Sequence, residues 1–204
     1  MTVRALIPIK ALDRAKSRLA TALPARQRKW LVLGMLAHVV DMVRGAGVVD
    51  EIVLLGPPGT PRLPGVRMMA GGDGGLNADL AGAVPRLGEP GVLLVLSADL
   101  PDLVTGDVAA LHAATLASGI AIAPDQRGDG TNALGFRSPA SIPFAFGANS
   151  RERHVELAGP GHIIVDRPGL AFDIDDRAGL CRLPADRRAA LMRAGVAVEA
   201  TASG

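Results

Sequence analysis

Residues 91–97, Gly-Val-Leu-Leu-Val-Leu-Ser, are apolar without alternation. A strand with one wet face alternates apolar and polar residues; a strand buried on both faces reads as a continuous apolar run. The segment therefore predicts the middle of a parallel sheet with helices on both faces. Ser97-Ala98-Asp99-Leu100-Pro101 closes the run. Proline cannot continue a central strand, so Asp99 is left at the strand's exit. Open α/β sheets bind ligands at the carboxyl ends of their strands, which favours a functional Asp99. The plainer alternative is a turn or cap aspartate.

Other segments repeat the strand–helix alternation. Val3 to Ile9 is apolar and β-branched, and Pro8 closes it. From about Pro24 to Ala46, Leu31, Met35, Val39 and Met42 or Val43 recur at helical spacing, with Gly45 and Gly47 as stops. Glu51 to Leu55 and Val66 to Ala70 read as strands, separated by the breaker run Gly56-Pro57-Pro58-Gly59. A helix is expected near 77–87, another over 105–117 with Thr105 as its cap, and a strand over 120–124. This alternation implies right-handed crossovers and an α/β fold: a three-layer α/β/α sandwich with a mostly parallel sheet. The later part reads differently. Residues 133–136, a helix over 149–158 and residues 162–165 suggest a β-rich insertion over about 126–170, followed by a short helix at 186–195 and a frayed tail at 200–204. One domain over 1–204 is the expected organisation.

Composition narrows the function. Net charge is only +2, and the aromatics are four Phe, one Trp and no Tyr. Neither a blanket basic surface nor a stacking platform for single strands is present, so nucleic acid is not an expected partner. The one cysteine, Cys181, excludes an intrachain disulfide framework and a Cys-based zinc site, and reads as a packing residue. No apolar stretch approaches the roughly 20 residues of a membrane span. The start Met-Thr-Val-Arg lacks the long apolar core of a signal peptide. A cytoplasmic protein with no membrane partner is the expectation.

Chemistry concentrates in a few motifs. Lys10, Arg14, Lys16 and Arg18 fall within nine residues directly after the first strand. Lysine offers a point charge and arginine a planar fork for phosphate, although a solvated amphipathic stretch would read the same. The Gly-Lys-Ser/Thr core of a P-loop is absent. Gly71-Gly72-Asp73-Gly74-Gly75-Leu76-Asn77 admits a ligand close to the backbone or simply a tight turn, with Asn77 as a helix cap. Asp173-Ile174-Asp175 has strand spacing, which puts both acids on one face. Such acids repel unless a cation lies between them, or unless they sit with Asp176 in an exposed, water-screened turn. Gly128-Asp129-Gly130-Thr131-Asn132 reads as a hairpin turn whose Thr131 hydroxyl and adjacent amides suit a carboxylate or phosphate. Phe146-Gly147-Ala148-Asn149-Ser150 enters a helix whose free N–H groups suit an anion, and Ser150 and His154 share its face. Acids at strand ends with a cationic loop point to an enzyme that handles a nucleoside triphosphate with a divalent ion.

In sequence order, Pro8-x-Lys10-x-Leu12-x-x-Ala15-Lys16-Ser17-Arg18-Leu19, Gly75-Leu76-Asn77, Ala98-Asp99-Leu100-Pro101, Pro124-Asp125, Gly130-Thr131-Asn132-Ala133-Leu134, Phe146-Gly147-x-x-Ser150-x-x-x-His154 and Asp173-Ile174-Asp175 resemble the 2-phospho-L-lactate guanylyltransferase family. That family is of the CofC type and includes the phosphoenolpyruvate and 3-phospho-D-glycerate guanylyltransferases. The resemblance spans about residues 3–180. It implies a nucleotidyltransferase fold, similar to the nucleotide-diphospho-sugar transferases and the molybdenum-cofactor guanylyltransferases. It also implies transfer of GMP from GTP to a phosphorylated three-carbon acid in coenzyme F-420 biosynthesis, with release of pyrophosphate. By the same likeness Asp99, Asp173 and Asp175 hold Mg2+, and Thr131, Gly147 and Ser150 hold the acid. Lys10, Lys16 and Arg18 face the triphosphate, with Asp99, Lys16 and Arg18 as the catalytic set, and Gly75 and Asn77 face the nucleoside. Arg151 stands where the family pattern has an aromatic residue, which bears on the choice of acid. The partners implied are GTP, the small acid and a downstream transferase that takes the product. Ile163-Ile164-Val165 leaves room for a homodimer. The rival readings are another transferase of this fold, such as a molybdopterin guanylyltransferase, and a non-catalytic nucleotide-binding domain.

Overall fold

A computed structural model describes residues 1–12, 16–71, 74–88, 91–137 and 144–202. Its described strands form one seven-stranded sheet in the order β3-β2-β1-β4-β6-β5-β7. The strands are β1 (Val3–Pro8), β2 (Glu51–Gly56), β3 (Arg67–Ala70), β4 (Val92–Leu96), β5 (Ile120–Pro124), β6 (Thr131–Phe136) and β7 (Ile163–Ile164). β1 to β4 run parallel to one another, and β5 pairs in parallel with β7. β6 is antiparallel to both its neighbours, β4 and β5. The helices are α1 (Ala25–Gly45), α2 (Leu76–Ala83), α3 (Thr105–Ser118), α4 (Ser150–Ala158), α5 (Pro168–Ala171), α6 (Arg177–Arg182) and α7 (Ala185–Ala202).

The unbroken apolar run of β4 has the cause expected for it. Val92, Leu94 and Leu96 pack on one side of the sheet with Leu33, Leu36, Val39 and Val40 of α1 and Val108 and Leu111 of α3. Leu93 and Val95 pack on the other side with Leu80 and Ala83 of α2, Phe136 and Phe144. Alternate residues of a strand point to opposite faces, so a strand between two helix layers needs apolar residues at every position. Burial of each large side chain is worth about 1.5–3 kcal/mol. A charge at Leu94, which is 0% exposed, would therefore break the fold.

Local departures from the sequence reading have physical reasons. The final helix is not the short one expected at 186–195. α7 is an 18-residue helix that reaches Ala202, and so includes part of the tail expected to fray. Its length is supported by α1. A Cβ on Gly34 would lie 1.8 Å from the Leu191 carbonyl oxygen, and a Cβ on Gly195 1.8 Å from that of Trp30. These two glycines let the backbones approach closely. The Trp30 indole and the Lys29 ammonium both bond Glu199, each at 2.7 Å. Thr105 begins α3 rather than capping it; the Asp107 carboxylate accepts from the Val104 N–H at 3.1 Å. Asn77 is likewise inside α2, after Gly75 (φ 85) as the preceding residue. Segment 126–170, read as a β-rich insertion, supplies β6 and β7 to the common sheet and carries α4 and α5. Residues 173 and 175 lie in an irregular stretch between α5 and α6, not in a strand. Among the described residues, no helix is long and apolar enough to cross a membrane.

Candidate active site

Three chain segments meet at the carboxyl ends of β1 and β4. β4 delivers Asp99, the loop after β1 delivers Lys16, and the stretch after α5 delivers Asp173 and Asp175. One carboxylate oxygen from each of Asp99, Asp173 and Asp175 lies within 4.8 Å of the others. Lys16 Nζ donates to Asp99 Oδ2 and, at 2.8 Å, to Asp175 Oδ1. Its backbone is left-handed (φ 54), uncommon for a residue with a side chain. Lys10 and Arg18 lie close enough to help hold the Asp175 carboxyl down. Arg14 and Asp73 lie outside the described residues.

Local packing explains how the irregular stretch is aimed. α5 sits hard against the start of α3: a Cβ on Gly169 would come 2.0 Å from the Asp107 carboxylate and 2.6 Å from the Asp102 carbonyl oxygen. Asp107 is buried and paired with Arg167 at 2.8 Å. Asn132, on β6, donates through Nδ2 to the carbonyls of Leu170 and Ala171, both at 3.0 Å, and at 3.5 Å to Asp173 Oδ1. The Gln126 N–H donates to the Ala171 carbonyl at 2.8 Å, and its side-chain amide to the Asp173 carbonyl at 3.3 Å. Asp176, beyond the triad, accepts from the Gly179 N–H at 2.9 Å and caps α6. The fold thus separates Asp176, a cap, from Asp173 and Asp175, which face Asp99.

The electrostatics follow from crowding. Burial, with the charges of Asp99 and Asp175, pushes the Asp173 carboxyl up to about 6, against Lys16 and Asn132. Burial also acts to raise Asp175, but the charge and hydrogen bond of Lys16, with Arg18 and Lys10, outweigh it and leave that carboxyl below its usual value. Burial opposes the Lys16 charge, yet Asp99 and Asp175 together hold the ammonium above the ordinary lysine range. Among the described residues, the acid cluster is bridged by the Lys16 ammonium, with Arg18 and Lys10 nearby. Its donors are all carboxylate oxygens, the ligand type of hard divalent ions such as Mg2+.

A second group of residues surrounds the β5–β6 turn and the start of α4. Thr131 and Ser150 are buried, at 6% and 2% exposure. Thr131 Oγ1 lies 3.0 Å from His154 Nδ1, and the Ala145 N–H donates to His154 Nε2 at 3.1 Å. Nε2 therefore carries no proton. Burial, and secondarily Arg153, lowers the His154 pKa to about 4. The neutral ring keeps its proton on Nδ1 and donates it to Thr131, which leaves the threonine O–H free to donate elsewhere. Phe146 packs edge-on against His154 with ring centroids 4.9 Å apart. Asn77 binds both ends of the Phe146 peptide: Nδ2 donates to the carbonyl at 3.0 Å and Oδ1 accepts from the N–H at 2.8 Å. Gly147 follows with φ 120, and Asn149 with φ 53 precedes α4. A cavity of about 320 Å3 opens here, lined by Gly128, Asp129, Asn149, Arg151, Glu152 and Val155.

The predicted residues thus fall into two groups. Asp99, Asp173, Asp175 and Lys16 touch or nearly touch, with Lys10 and Arg18 at their edge. Asn77 joins Gly147 through its bonds to Phe146, with Gly75 at the start of the same helix, while Thr131 and Ser150 gather around α4 and the hairpin. Asn132 and His154 hold these groups in place and were not marked as site residues by sequence reasoning. Both lie within quoted motifs, and His154 is one helical turn from Ser150. Nothing in their local pattern shows what they bind.

The mostly parallel sheet with an acid cluster at its carboxyl edge is an α/β enzyme architecture. Solved structures share this fold. A nucleotidyl transferase from Methanothermobacter matches with TM-score 0.63 at 16% identity, covering 94% of this chain and 98% of that one. Rv0371C of Mycobacterium tuberculosis H37Rv, in complex with manganese, matches with TM-score 0.57 at 15% identity, covering 90% and 98%. At a finer level, residues 3–183 match the family described as Guanylyl transferase CofC like, and the chain belongs to it. The phosphoenolpyruvate guanylyltransferase of Rubrobacter xylanophilus is 40% identical over 194 residues, covering 91% of this chain and 95% of that protein. That of Chloroflexus aurantiacus is 37% identical over 182 residues, covering 84% and 89%. The chain is a guanylyltransferase, and the expectations of fold and family both hold.

Proposed function

We propose that this enzyme transfers GMP from GTP to the phosphate of a small phosphorylated acid, with phosphoenolpyruvate the first acceptor to test, and releases pyrophosphate. The observation that supports this most is the convergence of Asp99, Asp173 and Asp175 around Lys16. The all-oxygen donor set fits Mg2+, and a structural neighbour was solved with manganese. Asp99, Asp173 and Asp175 are the residues that would hold the ion. Bound there, it would neutralise charge developing on the transferring phosphoryl group.

The chain's own groups do the rest. Lys10, Lys16 and Arg18 attract and orient the triphosphate. A phosphate oxygen of the acceptor attacks the α-phosphorus, and the bond to the pyrophosphate oxygen breaks. The nucleophile is already anionic near neutral pH, because a phosphate second pKa is about 6. No general base is required, and His154, buried and neutral, orients Thr131 instead. Thr131, Gly147 and Ser150 hold the acceptor's carboxylate end, and Gly75 and Asn77 shape the nucleoside side. Fixing two polyanions in line is worth up to about 7–11 kcal/mol in favourable cases. This activity has its place in coenzyme F-420 biosynthesis, with the product passed to a downstream transferase in the cytoplasm. Pyrophosphate release should be measured for four nucleoside triphosphates against phosphoenolpyruvate, 2-phospho-L-lactate and 3-phospho-D-glycerate. Release only with GTP and one or more of these acids is expected. Turnover with another nucleotide, or with none of the acids, would sink the reading.

A further inference from the structure

We propose that Arg187, with His38 beside it, is a positioning residue for Asp99: from the first turn of α7 it grips the turn after β4 and fixes where that carboxylate points. The inference rests on the role proposed for Asp99 above. It gives a task in the reaction to a helix that lies beyond the residues 3–183 matched by the family.

The register between α1 and α7 aims the grip. Contacts step by four residues along both helices, in opposite directions. Trp30 faces Gly195 and Gly34 faces Leu191, both through backbone. One turn further on, His38 meets Arg187, whose Nη2 lies 2.9 Å from the ring Nε2 and 3.3 Å from Nδ1. Residues four apart share a helix face, so the close approach at the two glycines carries Arg187 to the exit of β4. There its Nε donates to the Pro101 carbonyl at 3.2 Å, and Nη2 donates to the same oxygen. His38 Nε2 lies 2.9 Å from the Leu103 carbonyl oxygen. That oxygen can only accept, so Nε2 carries the ring proton and Nδ1 offers its lone pair to Arg187. Side chains of two other helices thus hold two carbonyls of the short turn that follows Asp99. Leu100, Pro101 and Leu103 are buried. A carbonyl there that loses its donor is left unpaired away from water, and the turn shifts to find a partner. The shift would not stop at Asp99. α5 packs on the same turn, where a Cβ on Gly169 would lie 2.6 Å from the Asp102 carbonyl oxygen, so the segment that carries Asp173 would move as well. Misplacing a reacting group by about 1 Å can cost about a hundredfold in rate.

The test compares Arg187→Met with Glu199→Gln. Glu199 ties the far end of α7 to Trp30 and Lys29, so its variant loosens the helix without touching the turn. Each variant is read by melting temperature, by kcat and KM with GTP and phosphoenolpyruvate, and by Mn2+ binding. Binding is followed through the paramagnetic signal of free Mn2+, with the non-reacting GTP analogue that has a methylene between the α- and β-phosphates present. Arg187→Met should lower kcat and weaken Mn2+ binding, each by at least about tenfold, with the acid KM within about twofold of wild type. Glu199→Gln should lower the melting temperature and leave kcat and Mn2+ binding near wild type. Wild-type Mn2+ binding by Arg187→Met overturns the proposal, whatever kcat does. An equal fall in both variants also overturns it, because the effect then belongs to helix stability. Should Arg187→Met fold poorly, Arg187→Lys is used, since an ammonium cannot reproduce the planar fork. The same two readouts should then fall by a few fold, and wild-type values overturn the proposal. Asp99→Asn separates the two levels. If it keeps wild-type kcat and Mn2+ binding, the reading of Asp99 fails and this inference with it. If it loses both while Arg187→Met loses neither, the inference alone fails.

Discussion

The acid half and the hairpin half of the site are held together differently. In the first, Asp99, Lys16 and the Asp173/Asp175 pair come from three separate segments and are joined by charge, with Asp175 exposed at the mouth. In the second, Thr131, Ser150 and His154 are 2–6% exposed, neutral and hydrogen-bonded, and aromatic packing shapes them. The charged half keeps a field that a ligand and its ion can satisfy. The neutral half has both His154 ring nitrogens paired and supplies shape together with the free Thr131 O–H donor. Catalytic electrostatics and acceptor fit are thus separable, and substitutions should tell them apart.

The sharpest division should come from Asp99→Asn. The amide keeps the volume but loses the charge, so guanylyl transfer should fall by at least about a hundredfold, with the melting temperature little changed. Near-normal pyrophosphate release would remove Asp99 from the charged half. Asn132→Ala should act one step back. It frees the Leu170 and Ala171 carbonyls and the Asp173 carboxylate, and residues that orient ligands typically matter by about 10–100-fold in metal affinity or activity. The apparent metal requirement should rise while the KM of the acid stays close to wild type; a change confined to acid KM would place Asn132 in the other half.

The neutral half should respond to pH through stability. The folded pKa of His154 is about 4, below its unfolded value of about 6.5. Between those values the unfolded chain binds more protons, so stability is full above about 6.5 and declines as pH falls towards 4. A loss of about 1–3 kcal/mol is expected from this ring. Urea unfolding at pH 7 and pH 4.5 should show a decrement that His154→Gln lacks; an equal decrement in the variant would assign it to other groups. The smallest effect is expected from Arg151→Phe. Arg151 lines the cavity and donates to the Gly128 carbonyl at 3.2 Å. Its cation should favour the more polar 3-phospho-D-glycerate, and the variant should shift relative kcat/KM towards phosphoenolpyruvate by a few fold. Unchanged preference would detach Arg151 from acceptor choice.

Much of the molecule was legible from local pattern. The unbroken run at 92–96, the helical spacing from Leu31 to Val43 and the breakers at Gly56 and Pro57 located strands and helices to within a residue or two. Other elements were not legible. α7 carries few buried apolar side chains, Leu191 and Val198 among them, because part of its contact with α1 is backbone against backbone at Gly34 and Gly195. Asp173-Ile174-Asp175 has the alternation of a strand, yet the Asp173 carbonyl accepts from the Gln126 side chain instead of a ladder partner, and Asn132 holds the Asp173 carboxylate.

The sequence by itself determined the layered α/β class, the family, and which acids and cations were available, because helix and strand periodicities and short motifs are properties of neighbouring residues. Only the tertiary structure decided that β6 runs antiparallel between β4 and β5, that His154 is a buried, neutral prop, and that Lys16 meets acids 83 and 159 residues away. Those outcomes depend on the order in which strands are laid into the sheet. That order is set by packing and pairing summed over the whole chain, so no single stretch of residues encodes it.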